Sequence, residues 1–349
     1  MEKLDKTSYT GYIGTYTDGD SKGIYTFALD VEKGELTKAE VAAELPSPTY
    51  VSVSSNQEYL YAVSPGGLTS YKIDASSGKL TVMNESAERE GTPCYVAINA
   101  ENQFAAAANY HDGTVVLYKA DEETGKLTEQ LSVAEQEGGG PHERQDAPHM
   151  HYSEFTPDGK YLIGVDLGTD EVVTYEYKKG ELKDVQRLKT SEGAGPRHLA
   201  FHPNGVNAFV MTELSNEVLA LAYNQEDGSF EIIQTIKAIP EDFKENSQGS
   251  AIHVSSDGRF VYAGNRGHDS IAVFEIEQNS YKLELVEYAP SGGNWPRDFV
   301  LDPTEKFLIT TNQESSNAVL YKRDPETGKL TETGSSISVP DPVCVKFLR

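Results

Sequence analysis

The chain has 349 residues, with 30 lysines and arginines against 55 aspartates and glutamates, and its formal net charge is −25. A surface this acidic excludes binding to nucleic acid through a general basic face and excludes adhesion to an anionic membrane. No apolar run reaches the length that a membrane span requires.

The N-terminal part of the chain starts with a polar segment and continues with strand-like segments. Residues 1–9 are predicted to form a flexible tail, and because the first six lack the apolar core of a signal peptide, we expect a cytoplasmic protein. Residues 11–16 and 23–29 then read as strands, and residues 36–40 read as a shorter third strand. These three strands form an incomplete unit of the repeat that follows.

A proline that precedes a strand recurs along the rest of the chain at steps of 45 to 55 residues. The markers are Pro48, Pro93, Pro148, Pro196, Pro296 and Pro342, and Ser250 takes the equivalent place in the fifth unit. Each unit contains four short strand-like segments separated by turn-forming residues. In the fourth unit these segments cover residues 198–202, 208–212, 218–223 and 230–236. This pattern predicts four-stranded antiparallel units.

Seven such units without helical periodicity predict an all-β, seven-bladed β-propeller, with residues 1–349 forming a single domain. The chain ends after one strand of a unit, at residues 343–347, and it begins with three strands. The N- and C-terminal strands are therefore predicted to pair in one blade, which removes open sheet edges. The alternative, two β-sandwich domains, predicts neither a constant period nor a divided unit.

Chemically active residues concentrate on one face of this propeller. In an antiparallel blade, the connections between blades and the turns between the second and third strands lie at the same end. Six of the eight histidines fall in these segments, whereas the opposite turns contain ordinary turn formers such as Asp158 and Gly159. The candidate site residues are Arg144, His149, His151, Arg197, His198, Glu213, Arg266, Arg297 and Gln313.

Several of these candidates have a structural alternative. His198 is also typical of a structural histidine within a strand, and Arg197 and Arg266 also fit salt bridges between blades. Either His149 or His151 is a candidate catalytic base. A carboxylate in the position of Glu213, between two arginines, indicates a functional site rather than a solvated rim.

The sequence predicts no metal and no cofactor. His149 and His151 have the spacing of two metal ligands, but no cysteine or acidic cluster completes the set. Cys94 and Cys344 are predicted to be buried free thiols. The chain also lacks a phosphate-binding glycine loop and a Gly-x-Ser-x-Gly nucleophile motif.

Several motifs resemble, in order along the chain, those of the seven-bladed propeller lactonases. They cover residues 139–151, 166–168, 195–205, 253–262, 265–270 and 296–299. This family includes bacterial 6-phosphogluconolactonases of the cycloisomerase type, and it shares its fold with the fungal carboxymuconate-lactonizing enzyme. The fifth unit departs from the family pattern because Gly249-Ser250-Ala251 replaces the marker proline.

The resemblance implies hydrolysis of 6-phospho-D-glucono-1,5-lactone to 6-phosphogluconate, a reaction of the pentose phosphate pathway. It implies four catalytic residues: His149, with His151 as the alternative base, Arg197, Glu213 and Arg266. In this scheme His149 takes a proton from the attacking water and an arginine stabilises the oxyanion. The remaining candidates are expected to bind substrate: Arg144, His151, His198, Arg297 and Gln313.

The expected partner is a small anionic sugar lactone, held at its phosphate by Arg144 and Arg297, and the chain is expected to be a monomer or a weak homo-oligomer. Two alternatives remain. One is a lactonizing cycloisomerase or another sugar lactonase that uses the same site. The other is a non-enzymatic interaction propeller, which predicts exposed apolar patches instead of a cluster of histidine, arginine and glutamate.

Overall fold

A computed structural model describes residues 6–87 and 89–349, and all of the regular structure in this part of the chain is β-sheet. The predicted tail at residues 1–9 lies partly outside the described residues, at 1–5, and its last two residues already belong to the first strand, which begins at Ser8. Within the described residues there is no helix that is long and apolar enough to cross a membrane.

Six blades each contain four consecutive antiparallel strands. Blades 1 to 3 consist of β5 (Val51–Val53), β6 (Tyr59–Ser64), β7 (Gly67–Ile73) and β8 (Leu80–Ala87); β9 (Tyr95–Ile98), β10 (Phe104–Asn109), β11 (Thr114–Ala120) and β12 (Leu127–Glu135); and β13 (Met150–Phe155), β14 (Tyr161–Asp166), β15 (Glu171–Glu176) and β16 (Lys183–Lys189). Blades 4 to 6 consist of β17 (Pro196–Phe201), β18 (Asn207–Thr212), β19 (Glu217–Tyr223) and β20 (Phe230–Lys237); β21 (Gln248–Val254), β22 (Phe260–Arg266), β23 (Ser270–Ile276) and β24 (Leu283–Pro290); and β25 (Pro296–Leu301), β26 (Phe307–Asn312), β27 (Asn317–Arg323) and β28 (Leu330–Ser338).

The seventh blade combines the two ends of the chain, as predicted. It contains β29 (Pro342–Phe347), β1 (Ser8–Thr15), β2 (Gly23–Asp30), β3 (Glu35–Leu36) and β4 (Glu40–Glu44). The prediction of one outer strand over residues 36–40 is wrong, because two short strands, β3 and β4, pair with β2 instead. Pairing between β1 and β29 joins the two ends of the chain in one sheet.

The seven blades form a closed ring around a central channel. The first strand of each blade contacts the first strand of the next, in the order β5, β9, β13, β17, β21, β25, β29 and back to β5. The seven-bladed propeller predicted from the repeat is thus confirmed. Because each blade packs face to face on its neighbours, apolar residues such as Leu60, Val116 and Val210 are completely buried between the sheets.

Turns on the lower face, which carries the turns between the first and second and between the third and fourth strands, are built for rigidity. In blade 1, Asp74 accepts hydrogen bonds from the backbone N–H groups of Ser76 and Ser77, and Gly78 adopts a left-handed backbone conformation (φ 69°). The Tyr12 hydroxyl of the preceding blade donates to the Gly78 carbonyl at 2.8 Å. These side chains stabilise the turns of the lower face. The connections between blades, with the predicted reactive residues, lie on the opposite face, the upper face.

Candidate active site

A β-bulge recurs at the upper end of the first strand in several blades. In blade 3, Met150 and Tyr152 pair with adjacent residues of β14, so that His151 is the extra residue. The same shift in blades 4 and 6 leaves Arg197 and Arg297 as the extra residues. A bulge bends its strand and redirects a side chain. The repeated bulge therefore gives His151, Arg197 and Arg297 equivalent places at the top of the channel.

The strand register shows which residues of blades 3 and 4 are equivalent. Met150, and not Pro148, is equivalent to Pro196, because each pairs with the last residue of the second strand in its blade. His151 therefore corresponds to the arginine that follows Pro196. With Pro148 as the repeat marker, the sequence predicts that His149 is equivalent to Arg197. The strand register shows that this equivalence is wrong.

Glu213 is the centre of an ion-pair cluster. It follows β18 directly, is 2% exposed, and is held in place by a hydrogen bond from its backbone N–H to the Gly195 carbonyl. Its Oε2 lies 3.0 Å from Nε of Arg197 and 2.8 Å from Nη2 of Arg266, and its Oε1 lies 2.5 Å from Nη2 of Arg144. The structure thus brings together three of the four predicted catalytic residues.

The charges in this cluster do not balance. Burial opposes the ionisation of Glu213, but Arg266 and Arg197 outweigh it and hold the pKa of the carboxyl well below its usual value. Burial also lowers the pKa of Arg266 to about 9, which leaves the guanidinium protonated at neutral pH. One carboxylate among three arginines leaves an excess of positive charge, which favours an anionic ligand.

A cavity of about 540 Å³, the upper cavity, opens beside this cluster. His151, Glu213, Arg144, Arg266 and Arg297 line it. The wall also includes Tyr16, Tyr110, Cys94, Gln248 and Trp295. Its size and its few converging polar groups are typical of a small-molecule site.

His151 has the properties of a proton acceptor. The side chain is buried, and its Nδ1 makes no hydrogen bond within the described part of the chain. Burial, assisted by the nearby charge of Arg197, lowers the pKa of His151 well below its usual value. The imidazole is therefore neutral at pH 7, which is the form that accepts a proton.

The side chain of His149 makes its contacts outside the upper cavity and does not line it. Its ring stacks on Tyr110 with centroids 4.3 Å apart, and its two ring nitrogens lie 3.0 Å from the Tyr110 carbonyl and 3.1 Å from Asp146 Oδ1. The backbone N–H of His149 donates to Asp166 at 2.7 Å. This placement does not fit the prediction of His149 as the base and favours the alternative, His151.

Arg144 reaches the cluster from the long connection between β12 and β13. Its Nη1 donates to Gln248 at 3.1 Å, in addition to the contact with Glu213. The neighbouring Gln145 is buried and anchors this connection by hydrogen bonds to the Leu167 carbonyl and to Asp170. Arg144 retains 35% exposure of its side chain, so it is the most accessible arginine of the cluster.

Arg297 lies at another wall of the upper cavity. Its Nη2 donates to the Tyr16 hydroxyl at 3.1 Å, and the guanidinium lies 5.3 Å from the centre of that ring. Gln313 lies behind it, with Oε1 3.5 Å from Nη1, and does not line the cavity. Among the described residues, Arg297 forms no ion pair with a carboxylate.

His198 lies deeper than predicted. It lines a second cavity of about 770 Å³ below the first, the lower cavity, rather than the upper one. Its ring packs 5.3 Å from His151 and also contacts Tyr95 and Tyr152. The predicted role of His198 in binding substrate directly does not fit this position, because the side chain lines the lower cavity and not the upper one.

Sequence reasoning missed Tyr16, Tyr110 and Gln248 as site residues. Tyr16 follows β1, so only the divided seventh blade brings it to this face. Burial raises the pKa of the Cys94 thiol, which also lines the cavity, to about 12, so that it remains protonated and unreactive. The described residues contain no group of three or more histidine, cysteine, aspartate or glutamate side chains arranged to hold a metal ion.

Comparison with known proteins agrees with this architecture. Residues 10–347 match the family model described as "Lactonase, 7-bladed beta-propeller". The chain is 53% identical over 346 residues to a 6-phosphogluconolactonase from Bacillus subtilis (strain 168), a match that covers 98% of this chain and 99% of that protein.

Two solved structures have the same fold. A periplasmic gluconolactonase from Pseudomonas aeruginosa superposes with a TM-score of 0.93 at 29% identity, covering 98% of this chain and 99% of that one. A protein from Lactobacillus plantarum superposes with a TM-score of 0.92 at 36% identity, covering 98% and 100%. The chain therefore belongs to the family of seven-bladed β-propeller lactonases.

Proposed function

We propose that this chain is an enzyme that hydrolyses 6-phospho-D-glucono-1,5-lactone to 6-phosphogluconate, the activity for which its Bacillus subtilis relative is named. The observation that carries the proposal is the presence of a neutral buried histidine, His151, in the same cavity as an arginine cluster held by Glu213. A general base next to fixed cations is the arrangement that water attack on a lactone carbonyl requires.

His151 acts as the base in this proposal. A water molecule attacks the lactone carbonyl carbon while the imidazole takes its proton, and a tetrahedral oxyanion forms. The bond between that carbon and the ring oxygen then breaks, and the imidazolium returns the proton to the ring oxygen. The carboxylic acid product loses a proton to the solvent at neutral pH.

Arg266, which lines the upper cavity, stabilises the oxyanion, and Arg197, which does not line it, adds positive charge beside Glu213. Their contacts with Glu213, at 3.0 Å and 2.8 Å, hold both guanidinium groups in place before substrate arrives. Such preorganised charge needs no rearrangement when the oxyanion forms. Glu213 is thus proposed as a positioning residue rather than as a proton carrier.

Arg297 and Arg144 bind the 6-phosphate. Arg297 has no carboxylate partner among the described ion pairs, and Arg144 is the exposed arginine of the cluster. Arginine matches phosphate oxygens with paired N–H donors. In a chain with a net charge of −25, this local excess of cations is what allows an anionic substrate to enter.

The test of the function is an initial-rate assay with freshly prepared 6-phosphogluconolactone, from which spontaneous hydrolysis is subtracted. The same protein is assayed with the unphosphorylated lactone and with carboxymuconolactone. We expect the highest kcat/KM with the phosphorylated sugar lactone. No rate above background with either sugar lactone, together with turnover of carboxymuconolactone, would support the cycloisomerase alternative instead.

The choice of base is tested by His151→Asn against His149→Phe, a control that keeps a ring stacked on Tyr110. We expect His151→Asn to lower kcat by at least about 100-fold, the usual contribution of a general base, and His149→Phe to lower it by less than about tenfold. The reverse pattern would return the role of the base to His149.

A further inference from the structure

Trp295 adopts a backbone conformation that is unusual for its residue type. Its φ is 64°, in the left-handed region that a bulky L-residue rarely occupies. The residues that precede the first-strand proline in three other blades are also left-handed, and they are smaller: Ser47, Gly195 and Asp341. Only in blade 6 does this strained position carry a large side chain, and strain of this kind is typical of functional sites.

Hydrogen bonds on both sides hold the peptide of Trp295 in this conformation. Its N–H donates to Asp269 Oδ1 at 2.8 Å, and its carbonyl accepts from the Gln313 N–H at 3.0 Å. The Asp269 turn follows β22 directly, and β22 ends at Arg266. One turn of blade 5 therefore positions both the catalytic-site arginine and the indole of the next blade.

The indole forms part of the wall of the upper cavity. The centre of the indole ring lies 5.7 Å from Arg266 Cζ. The side chain is half-buried and borders the cavity that His151 also lines. Tyr16 and Tyr110, the other large aromatic residues of this wall, use their hydroxyls to contact Arg297 and Arg144. Trp295 is the one tryptophan of the chain, and its indole gives this charged wall an extended apolar surface.

We propose that the Trp295 indole packs against the C–H groups of the pyranose ring and makes the site selective for sugar lactones over small aliphatic lactones. The negatively polarised face of an aromatic ring attracts the weakly positive C–H groups of a sugar face, and both surfaces are apolar. This proposal rests on the function proposed above. It concerns the pyranose ring of that substrate, whereas the arginines contact its phosphate and its carbonyl group.

The kinetic test compares Trp295→Asn, which suits the left-handed backbone but removes the ring, with Trp295→Phe, which keeps an aromatic face. Each is assayed with 6-phosphogluconolactone and with δ-valerolactone. We expect Trp295→Asn to raise KM for the sugar lactone about tenfold, as the loss of one aromatic contact implies, with little change for δ-valerolactone. Trp295→Phe should remain within about threefold of the parent protein.

Tyr281→Asn is the matched control, because Tyr281 is also left-handed (φ 55°) but lies outside the upper cavity. We expect its kinetics to equal those of the parent. Equal losses on both lactones in Trp295→Asn would overturn the proposal, since they would mean that the indole acts only through Arg266. Unchanged kinetics in Trp295→Asn would overturn it as well.

Fluorescence gives an independent readout, because Trp295 is the single tryptophan of the chain. Glucose 6-phosphate, a stable pyranose with the same phosphate, should change the emission in a saturable way, whereas inorganic phosphate alone should not. Unchanged emission in a protein that hydrolyses 6-phosphogluconolactone would overturn the contact with the sugar but not the proposed function. Absence of turnover by the parent protein would overturn the proposed function itself.

Discussion

The upper and lower cavities of the channel differ in the charged side chains that line them. The lower cavity is larger, about 770 Å³ against about 540 Å³, but among the described residues Arg349 is the only arginine that lines it. Two of its lining residues, Lys346 and His253, contact a buried carboxylate behind the wall: Asp298 Oδ2 lies 3.4 Å from Lys346 Nζ, and Asp298 Oδ1 lies 3.8 Å from His253 Nε2. Burial opposes the ionisation of Asp298, but Lys346 and His253 lower its pKa to about 2.

The upper cavity instead contains more arginines than carboxylates, together with a histidine whose Nδ1 has no hydrogen-bond partner among the described residues. The difference teaches that volume does not identify the site in this propeller. The cluster of arginines beside a buried histidine does, because a bound anionic ligand can supply the partners that these side chains lack. Residues outside the upper cavity therefore serve as controls for it.

The largest effect is expected from Glu213→Gln. This change leaves Arg144, Arg197 and Arg266 without their carboxylate, so the free energy of unfolding should fall by about 3–5 kcal/mol, and activity should fall with it. Urea denaturation measures the first and initial rates the second. Asp298→Asn should also destabilise the protein but should leave kcat within about threefold. A Glu213→Gln variant as stable as the parent would contradict the ion-pair cluster.

Arg266→Lys should lower kcat by about 100- to 1,000-fold. Lysine cannot reproduce the contacts that hold the guanidinium in the position where it stabilises the oxyanion. The matched control is Arg323→Lys, since Arg323 is equally buried but binds Tyr262 and Asp257 outside both cavities. That control should lower the melting temperature without changing kcat. Equal kcat values in the two variants would show that Arg266 is structural.

Arg297→Ala should weaken the binding of the phosphorylated lactone and spare the unphosphorylated one. Loss of a hydrogen bond to a charged group is worth about 1.5–3 kcal/mol, which corresponds to a rise in KM of about 10- to 150-fold. Gln313→Ala, one residue behind the wall, should have a smaller effect on KM. Similar losses with both lactones would place the phosphate elsewhere in the cavity.

The smallest effect is on the pH dependence of stability. Burial and the charge of Arg197 lower the pKa values of His151 and His198 well below the usual value, so both remain neutral in the folded protein at pH values where the unfolded chain binds protons. The stability that they contribute is present above pH 6.5 and is lost as the pH falls, by about 1.4 kcal/mol per pH unit for each histidine.

Urea denaturation between pH 7 and pH 5.5 measures this slope. His151→Asn should reduce it by the share of one histidine. A slope that is equal in His151→Asn and in the parent would mean that His151 is not held neutral.

The sequence by itself determined the propeller, its divided seventh blade and the face on which the site lies, because strand alternation and turn residues repeat at every blade. It also determined Arg197, Glu213 and Arg266 as a set, since they fall at the same end of adjacent blades. The cytoplasmic location and the oligomeric state stay predictions.

Only the tertiary structure decided which histidine reaches the cavity. A β-bulge adds one residue to a strand and reverses the alternation beyond it, and neither proline spacing nor composition reveals where it occurs. It places His151 in line with Arg197 and turns His149 onto Tyr110. Tertiary structure also decided that His198 belongs to the lower cavity, because depth along the channel depends on packing between blades that are far apart in sequence.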